Sequence, residues 1–221
     1  MQLVSDGAFS EQVELEQWRV VRKCAECRFA GNDRAALAAF LTDVLEIAER
    51  TGAVADVDVR SGLVAVRLAS DSRTDLTTAC ADAALAITSA AGGRGLTAAT
   101  SDVARTEIGI DAIDIDQVLP FWRAVLAYVD EPTPPGEQVT AIVDPQRINA
   151  AVWFQQMDAP RPQRNRVHLD LNVPHDQAQA RIDAAVAAGG TVLTDRWARA
   201  FWVLADPEGN EVCVCTWQDR S

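Results

Sequence analysis

The chain has 221 residues, 32 of them acidic and 20 basic, and a formal net charge of −12. That balance argues against nucleic acid or an anionic membrane surface as a partner, since both need clustered Lys and Arg; a small molecule or another protein is left. No window of about 18 apolar residues is present and Met1 opens onto a polar segment, so a cytoplasmic protein is expected.

The five cysteines are too few and too scattered for a disulfide framework and read as reduced thiols. Cys24 and Cys27 form a lone CxxC. A spacing of three puts two thiols on opposite faces of a strand, so ordinary half-buried cysteines are expected there rather than zinc ligands.

In chain order, residues 1–18 begin polar and continue with Phe9, Val13, Leu15 and Trp18, which predicts a short helix anchored by Trp18. Arg19 to Phe29 reads as a strand. Asn32 and Asp33 offer an N-cap, and Leu37, Phe40, Leu41, Val44, Leu45 and Ala48 recur at helical spacing up to Gly52, a C-cap. Val54 to Val59 and Leu63 to Leu68 alternate around Arg60-Ser61-Gly62 and predict a hairpin. Asp71 to Asp75 supplies caps for an alanine-rich helix from Leu76 to Ala90. This order predicts an α+β fold for residues 1–95, with helices on one face of a small antiparallel sheet. Gly92-Gly93-Arg94-Gly95 and the Thr/Ala/Ser residues behind it predict a linker, residues 96–104.

Residues 105–221 repeat themselves with a period of about 60 residues. Thr106 to Ala112 followed by a helix through Phe121, Trp122, Val125 and Leu126 matches Val167 to Val173 followed by a helix through Ile182, Ala185 and Val186. Each half also closes alike: Ala141-Ile142-Val143-Asp144-Pro145 before Ala151-Val152-Trp153-Phe154 mirrors Val203-Leu204-Ala205-Asp206-Pro207 before Glu211-Val212-Cys213-Val214. Two units of a strand, a helix and about three strands can curve their sheets around a shared cleft. Arg166 to Val173 is the stretch with the most evident chemistry. Its alternation puts Val167, Leu169, Leu171 and Val173 on one face and His168, Asp170 and Asn172 on the other. In the repeat alignment Glu107, Gly109 and Asp111 fall opposite these three polar residues.

Phe121-Trp122, Val152-Trp153-Phe154-Gln155, His168-Leu169-Asp170-Leu171 and Asp206-Pro207-Glu208-Gly209-Asn210-Glu211-Val212-Cys213-Val214 give residues 105–217 a resemblance to the glyoxalase-like domains of the vicinal oxygen chelate superfamily. The resemblance implies paired βαβββ modules and, in the enzymes, a divalent metal held by His and Glu on the first and last strands of each module. By position, His168 stands where the second module's histidine belongs. Glu107 replaces the first module's histidine, Cys213 replaces a glutamate, and Trp153 or Gln155 stands at the remaining position.

Glu16-Gln17-Trp18, Phe40, Ala48-Glu49, Val64 to Leu68 and Leu76-Thr77 make residues 2–95 similar to pterin-4a-carbinolamine dehydratase. The resemblance implies three histidines as general acid and base; Ala53-Val54-Ala55 and Asp71 occupy those positions.

The expectation is a small-molecule-binding protein with a degenerate dehydratase-like domain and a ligand cleft in the glyoxalase-like domain. Glu107, Asp111, Trp153, Gln155, His168, Asp170, Trp202 and Cys213 would line that cleft. The alternative is an enzyme, either a 4a-hydroxytetrahydrobiopterin dehydratase or a glyoxalase-like lyase or isomerase, with His168, Asp170 or Asp71 as its catalytic groups. No cofactor is expected, and a divalent metal on Glu107, His168 and Cys213 is the alternative to a metal-free pocket. Both resemblances imply a homodimer.

Overall fold

In a computed structural model, which describes residues 2–70, 75–101, 103–160 and 167–219, the chain divides between Arg105 and Thr106. The first unit opens with β1 (Leu3–Val4), α1 (Asp6–Ser10) and a 3₁₀ turn (Val13–Leu15). Trp18 anchors this start: it is buried edge-on against Phe29 and donates from Nε1 to Thr88 Oγ1 at 3.0 Å. The stretch expected as one strand is a hairpin of β2 (Arg19–Val21) and β3 (Cys24–Ala30). Arg22 and Lys23 turn it with φ of 50° and 60°, the backbone twist that suits a two-residue hairpin but is usually signalled by Asn or Gly.

α2 (Arg34–Thr51) begins where Asp33 accepts from the Ala35 N–H at 2.8 Å and stops at Gly52, whose φ of 76° favours glycine. β4 (Val54–Arg60) and β5 (Leu63–Ala69) form the expected hairpin. β6 (Leu76–Thr77) pairs with β1, so α3 (Thr78–Gly93) starts two residues later than its apolar spacing suggests. β7 (Thr97–Ala98) closes the unit. The sheet runs β2-β3-β5-β4 with β7 beside β3. Ala25, Cys27 and Phe29 of β3 and Val64, Val66 and Leu68 of β5 join Phe40 and Val44 of α2 and Ala83 and Ile87 of α3 in one core. Burial pushes the Cys27 thiol up to about 12, as befits an inert core cysteine, while Cys24 lies half-buried and none of the five cysteines forms a disulfide.

Residues 96–104, expected as a linker, are largely tied to this unit. Leu96 is buried, β7 hydrogen-bonds to β3, and the Ala99 N–H donates to Arg28 O at 2.7 Å. Arg105 then reaches Glu26, donating to Oε2 from Nη2 at 2.6 Å and from Nε at 3.1 Å. Backbone pairing of Thr and Ala leaves no hydrophobic pattern for sequence reasoning to find.

The second unit is built twice. The first module comprises β8 (Glu107–Ala112), α4 (Ile115–Leu126), β9 (Val129–Asp130), β10 (Ala141–Val143) and β11 (Ala151–Gln156). The second comprises β12 (Asp170–Asn172), α5 (Ala178–Ala187), β13 (Thr191–Thr194), β14 (Phe201–Ala205) and β15 (Glu211–Cys215). Each sheet has the order first, last, third, second, with its first and last strands parallel. The two sheets share no hydrogen-bonded strand pair among the described residues. The modules do share a core, in which Phe121, Trp122 and Val125 of α4 meet Ala178, Ile182 and Ala185 of α5. A Cβ on Gly190 would stand 2.2 Å from the Phe121 ring, so this close approach demands glycine.

The repeated Asp-Pro pair makes the turn before each last strand. Asp144 accepts from the backbone N–H of Gln146, Ile148 and Asn149 and from Asn149 Nδ2. Burial opposes ionisation of Asp144, but these four donors outweigh it and hold its carboxyl below the ordinary 3.8. A group with a depressed folded pKa contributes stability above its unfolded value and loses it as pH falls through the folded one. The stability lost in Asp144→Asn is therefore expected to be constant near neutral pH and to shrink below about pH 4, as read by urea denaturation at a series of pH values. A difference that grows on acidification would contradict this assignment.

Among the described residues, no helix is long and apolar enough to cross a membrane.

Candidate functional site

In the second module, Leu171 of β12 and Val212 and Val214 of β15 pack toward the helices. The parallel register sets Asp170 beside Cys213 and Asn172 beside Cys215, so these four side chains share the helix-free face. On β14, Val203 lies opposite Cys213 and Phe201 opposite Cys215, extending the same two rows. Trp202, expected to line the ligand cleft, lies opposite Val214 and packs with the core instead. A one-residue offset decides which face a strand residue takes, and the local sequence around Trp202 does not fix it.

His168 precedes β12, in a segment that the Cys213 N–H holds alongside β15 by donating to Leu169 O at 2.9 Å. Leu169, Leu171 and Val173 pack against the core as their alternation predicts, but Val167 is 81% exposed. Arg166, the start of the expected strand, lies outside the described residues. The potential donor atoms of His168, Asp170 and Cys213 all lie within 4.8 Å of one another, with both His168 and Asp170 exposed and Cys213 half-buried. With Val167, Leu169, Glu211 and Val212, His168 and Cys213 line a shallow depression. Burial, then the hydrogen bond and negative charge of Asp170, push the Cys213 thiol up to about 11. It is a protonated thiol at neutral pH, not an activated nucleophile.

An aromatic stack that sequence reasoning missed stands at the end of this face. Phe201, opposite Cys215, stacks on Trp197 with ring centroids 5.3 Å apart and planes 13° from parallel. The Arg196 guanidinium lies 5.1 Å from the Trp197 ring centre. The available signal was the density of Trp197, Phe201 and Trp202 within six residues.

In the first module, Glu107, Gly109 and Asp111 of β8 align with Ala151, Trp153 and Gln155 of β11, while Ile110, Val152 and Phe154 fill the core. Glu107, Asp111, Trp153 and Gln155 therefore share that sheet's helix-free face. The Trp153 indole lies over Gly109, where an added Cβ would sit 3.1 Å from the ring. Among the described residues, the one cluster of three or more potential metal donors is His168, Asp170 and Cys213. Glu107, expected as a metal ligand, lies outside that cluster, and Asp170 lies within it. At the remaining position Trp153 offers no ligand atom, whereas Gln155, two residues on along the same face, offers an amide oxygen. Asp71, the candidate dehydratase group, lies outside the described residues.

Two βαβββ modules around one core, each presenting a polar helix-free face, define the class of domain to which the second unit belongs. Residues 107–215, just under half of the chain, match the family described as glyoxalase-like domain. The match falls within the second unit, Thr106–Ser221. Among solved structures, the fosfomycin resistance protein FosX from Mesorhizobium loti is 10% identical, covering 51% of this chain and 90% of its own, with a TM-score of 0.42. FosX from Listeria monocytogenes is 9% identical over 54% and 94%, with a TM-score of 0.43. A glyoxalase/bleomycin resistance protein/dioxygenase family enzyme from Burkholderia phytofirmans is 16% identical over 51% and 98%, with a TM-score of 0.37. No curated protein matches the sequence.

Proposed function

We propose that this chain is a small-molecule-binding protein whose ligand lies on the helix-free face of the second module. The observation that carries this reading is the adjacency, on one face, of the His168–Asp170–Cys213 cluster and the Phe201–Trp197 stack. Apolar and aromatic surface with a few convergent polar groups suits a small planar molecule that has one hydrogen-bonding edge. The experiment is calorimetric titration of the full chain with a panel of planar aromatic acids and phenols. His168→Ala is expected to weaken binding about tenfold, the worth of one charge-assisted hydrogen bond, with little change in melting temperature. A variant that melts earlier but binds equally well would make His168 structural and overturn the reading.

A second reading, an enzyme of the glyoxalase-like type, is favoured by one feature: His168 and Asp170 place an exposed imidazole and an exposed carboxyl group, the residue types of general acid/base chemistry, within 4.8 Å of each other. The protonated Cys213 thiol leaves acid/base rather than covalent chemistry for such a site.

For residues 1–95 we propose a dehydratase-like scaffold without dehydratase chemistry. Ala53 is buried and carries no proton, and Val54 begins β4. General acid/base groups contribute about 10²- to 10⁴-fold, so the protein is expected to leave 4a-hydroxytetrahydropterin dehydration at its spontaneous rate. Acceleration of about 100-fold, abolished by Asp71→Ala, would refute this.

A further inference from the structure

We infer that the helix-free face of the first module is a second binding site, one for a small organic cation that carries N–H donors, an alkylammonium or a guanidinium. The inference starts from Gly109, in the middle of β8. A glycine inside a strand weakens it and often marks a close approach, and no positive φ accounts for this one. The approaching group is the Trp153 indole, its register partner on β11. An added Cβ would stand 3.1 Å from Cε2 and Cζ2 and 3.2 Å from Nε1. A ring meeting the strand edge-on would bring Nε1 and Cζ2 closer than the Cε2 between them, so the indole lies face down on the sheet.

A ring lying face down turns its other face outward, and Trp153 is 39% exposed. The face of an aromatic ring carries negative potential, and tryptophan offers the best such platform for a cation. Glu107 and Asp111 stand two residues to either side of Gly109, roughly 7 Å away along the strand and on the same face. Gln155, beside Asp111 in the register, adds an amide oxygen. Glu107, Trp153 and Gln155 are exposed and Asp111 is half-buried, so a molecule from solvent can reach them. Glu107 and Asp111 each have a partner already, but a carboxylate has about four lone-pair sites and accepts further donors.

What these groups share selects the ligand. Two carboxylates beside one π-face attract a positive charge and repel an anion, and the chain's net charge of −12 works in the same direction. The acceptors on either side of the ring favour N–H donors, which an ammonium or a guanidinium has and a quaternary ammonium lacks. A hydrated magnesium ion holds its waters and gains little from the indole. The second module's aromatic stack differs, because there the Arg196 guanidinium already lies 5.1 Å from the Trp197 ring centre.

The test uses the full chain at low ionic strength, with butylguanidinium as the probe and the indole N–H cross-peaks of the six tryptophans as the readout in an isotope-labelled sample. The cross-peak that is missing from Trp153→Leu is expected to shift saturably, with a dissociation constant on the order of a millimolar. Trp153→Phe makes the assignment if leucine unfolds the domain. Glu107→Gln and Asp111→Asn should each weaken binding about threefold, and about 0.5 M salt should weaken it about tenfold. Trp153→Leu should weaken it about fivefold, as read by saturation transfer to the butyl protons of the probe. Butylammonium should shift the same cross-peak, tetramethylammonium should bind about fivefold more weakly, and magnesium chloride at matched ionic strength should leave the peak in place. No shift, a shift at a different indole, equal binding by Glu107→Gln and Asp111→Asn, or an equal response to magnesium would overturn the proposal. Each of those results leaves the aromatic-ligand titration, which reads His168 on the other sheet, to stand or fall separately.

Discussion

Glu26→Ala is expected to destabilise the first unit by about 3 kcal/mol, the lower end of the ~3–5 kcal/mol that follows removal of one partner from a buried ion pair. Ala25, Cys27 and Phe29 point into the core, so the alternation of β3 turns Glu26 to the other face, yet Glu26 is only 2% exposed. Its Oε1 accepts from Arg28 at 3.0 Å and its Oε2 from Arg105 at 2.6 Å. Arg19 and Arg67 occupy the opposing register positions on β2 and β5. Without the carboxylate, Arg28 and Arg105 lose the partner they share, with less to offset their mutual repulsion, while Arg67 keeps its pair with Asp58. The side chains of Arg28 and Arg105 are 25% and 29% exposed, so both can partly rehydrate, which places the effect at the lower end of the range. Arg105→Ala should cost less, because Arg28 still engages Glu26; its signature is faster exchange at the Ala99 amide, whose segment Arg105 ties down. Hydrogen exchange of the β3 amides in the full chain measures both effects. A Glu26→Ala change below about 1 kcal/mol would show that desolvation already cancels what the pairing contributes.

How much of this was legible depends on whether a feature is local. α2 could be read because Asp33, Gly52 and a 3.6-residue period all lie within its own twenty residues. The module repeat could be read because Asp144-Pro145 and Asp206-Pro207 carry the same turn chemistry in the same place. The β2–β3 turn could not, since Arg22 and Lys23 take positive φ without the usual residue types. The docking of residues 96–105 rests on backbone pairing and on one Arg–Glu contact across 79 positions. For the candidate site, alternation alone placed His168 and Asp170 on one face. Their proximity to Cys213 needs the β12–β15 register, and the packing of the half-buried Trp202 against the core needs the β14–β15 register; both are set by tertiary pairing. Glu26 left one local trace: a carboxylate in the middle of an otherwise apolar alternation, two residues before an arginine.

Asp206→Ala is expected to cost about 3–5 kcal/mol, more than the equivalent change at Asp144, because Asp206 serves as a joint between modules as well as a turn. Both aspartates accept from a backbone N–H two residues on and from the asparagine that ends the turn: Gln146 and Asn149 in one case, Glu208 and Asn210 in the other. Asp206 alone also accepts from a residue of the other module, the buried Trp122 indole N–H, at 2.9 Å. Alanine there strands that donor in a core where water cannot replace the acceptor, a cost of about 1–3 kcal/mol on top of the loss of the turn. It also loosens Glu208, whose carboxylate caps the start of α4 by accepting from the N–H groups of Ile113 and Asp114 at 2.8 and 2.6 Å. Trp122→Phe separates the two contributions, since it removes the cross-module donor and leaves the turn intact. Its expected cost is about 1–2 kcal/mol, and the double variant should be less destabilised than the sum of the singles by about 1 kcal/mol. Urea denaturation of the four proteins, followed by near-ultraviolet circular dichroism, closes that cycle. Strict additivity would mean that the Trp122–Asp206 bond does not couple the modules, and an Asp206→Ala loss no larger than that of Asp144→Ala would remove the joint altogether.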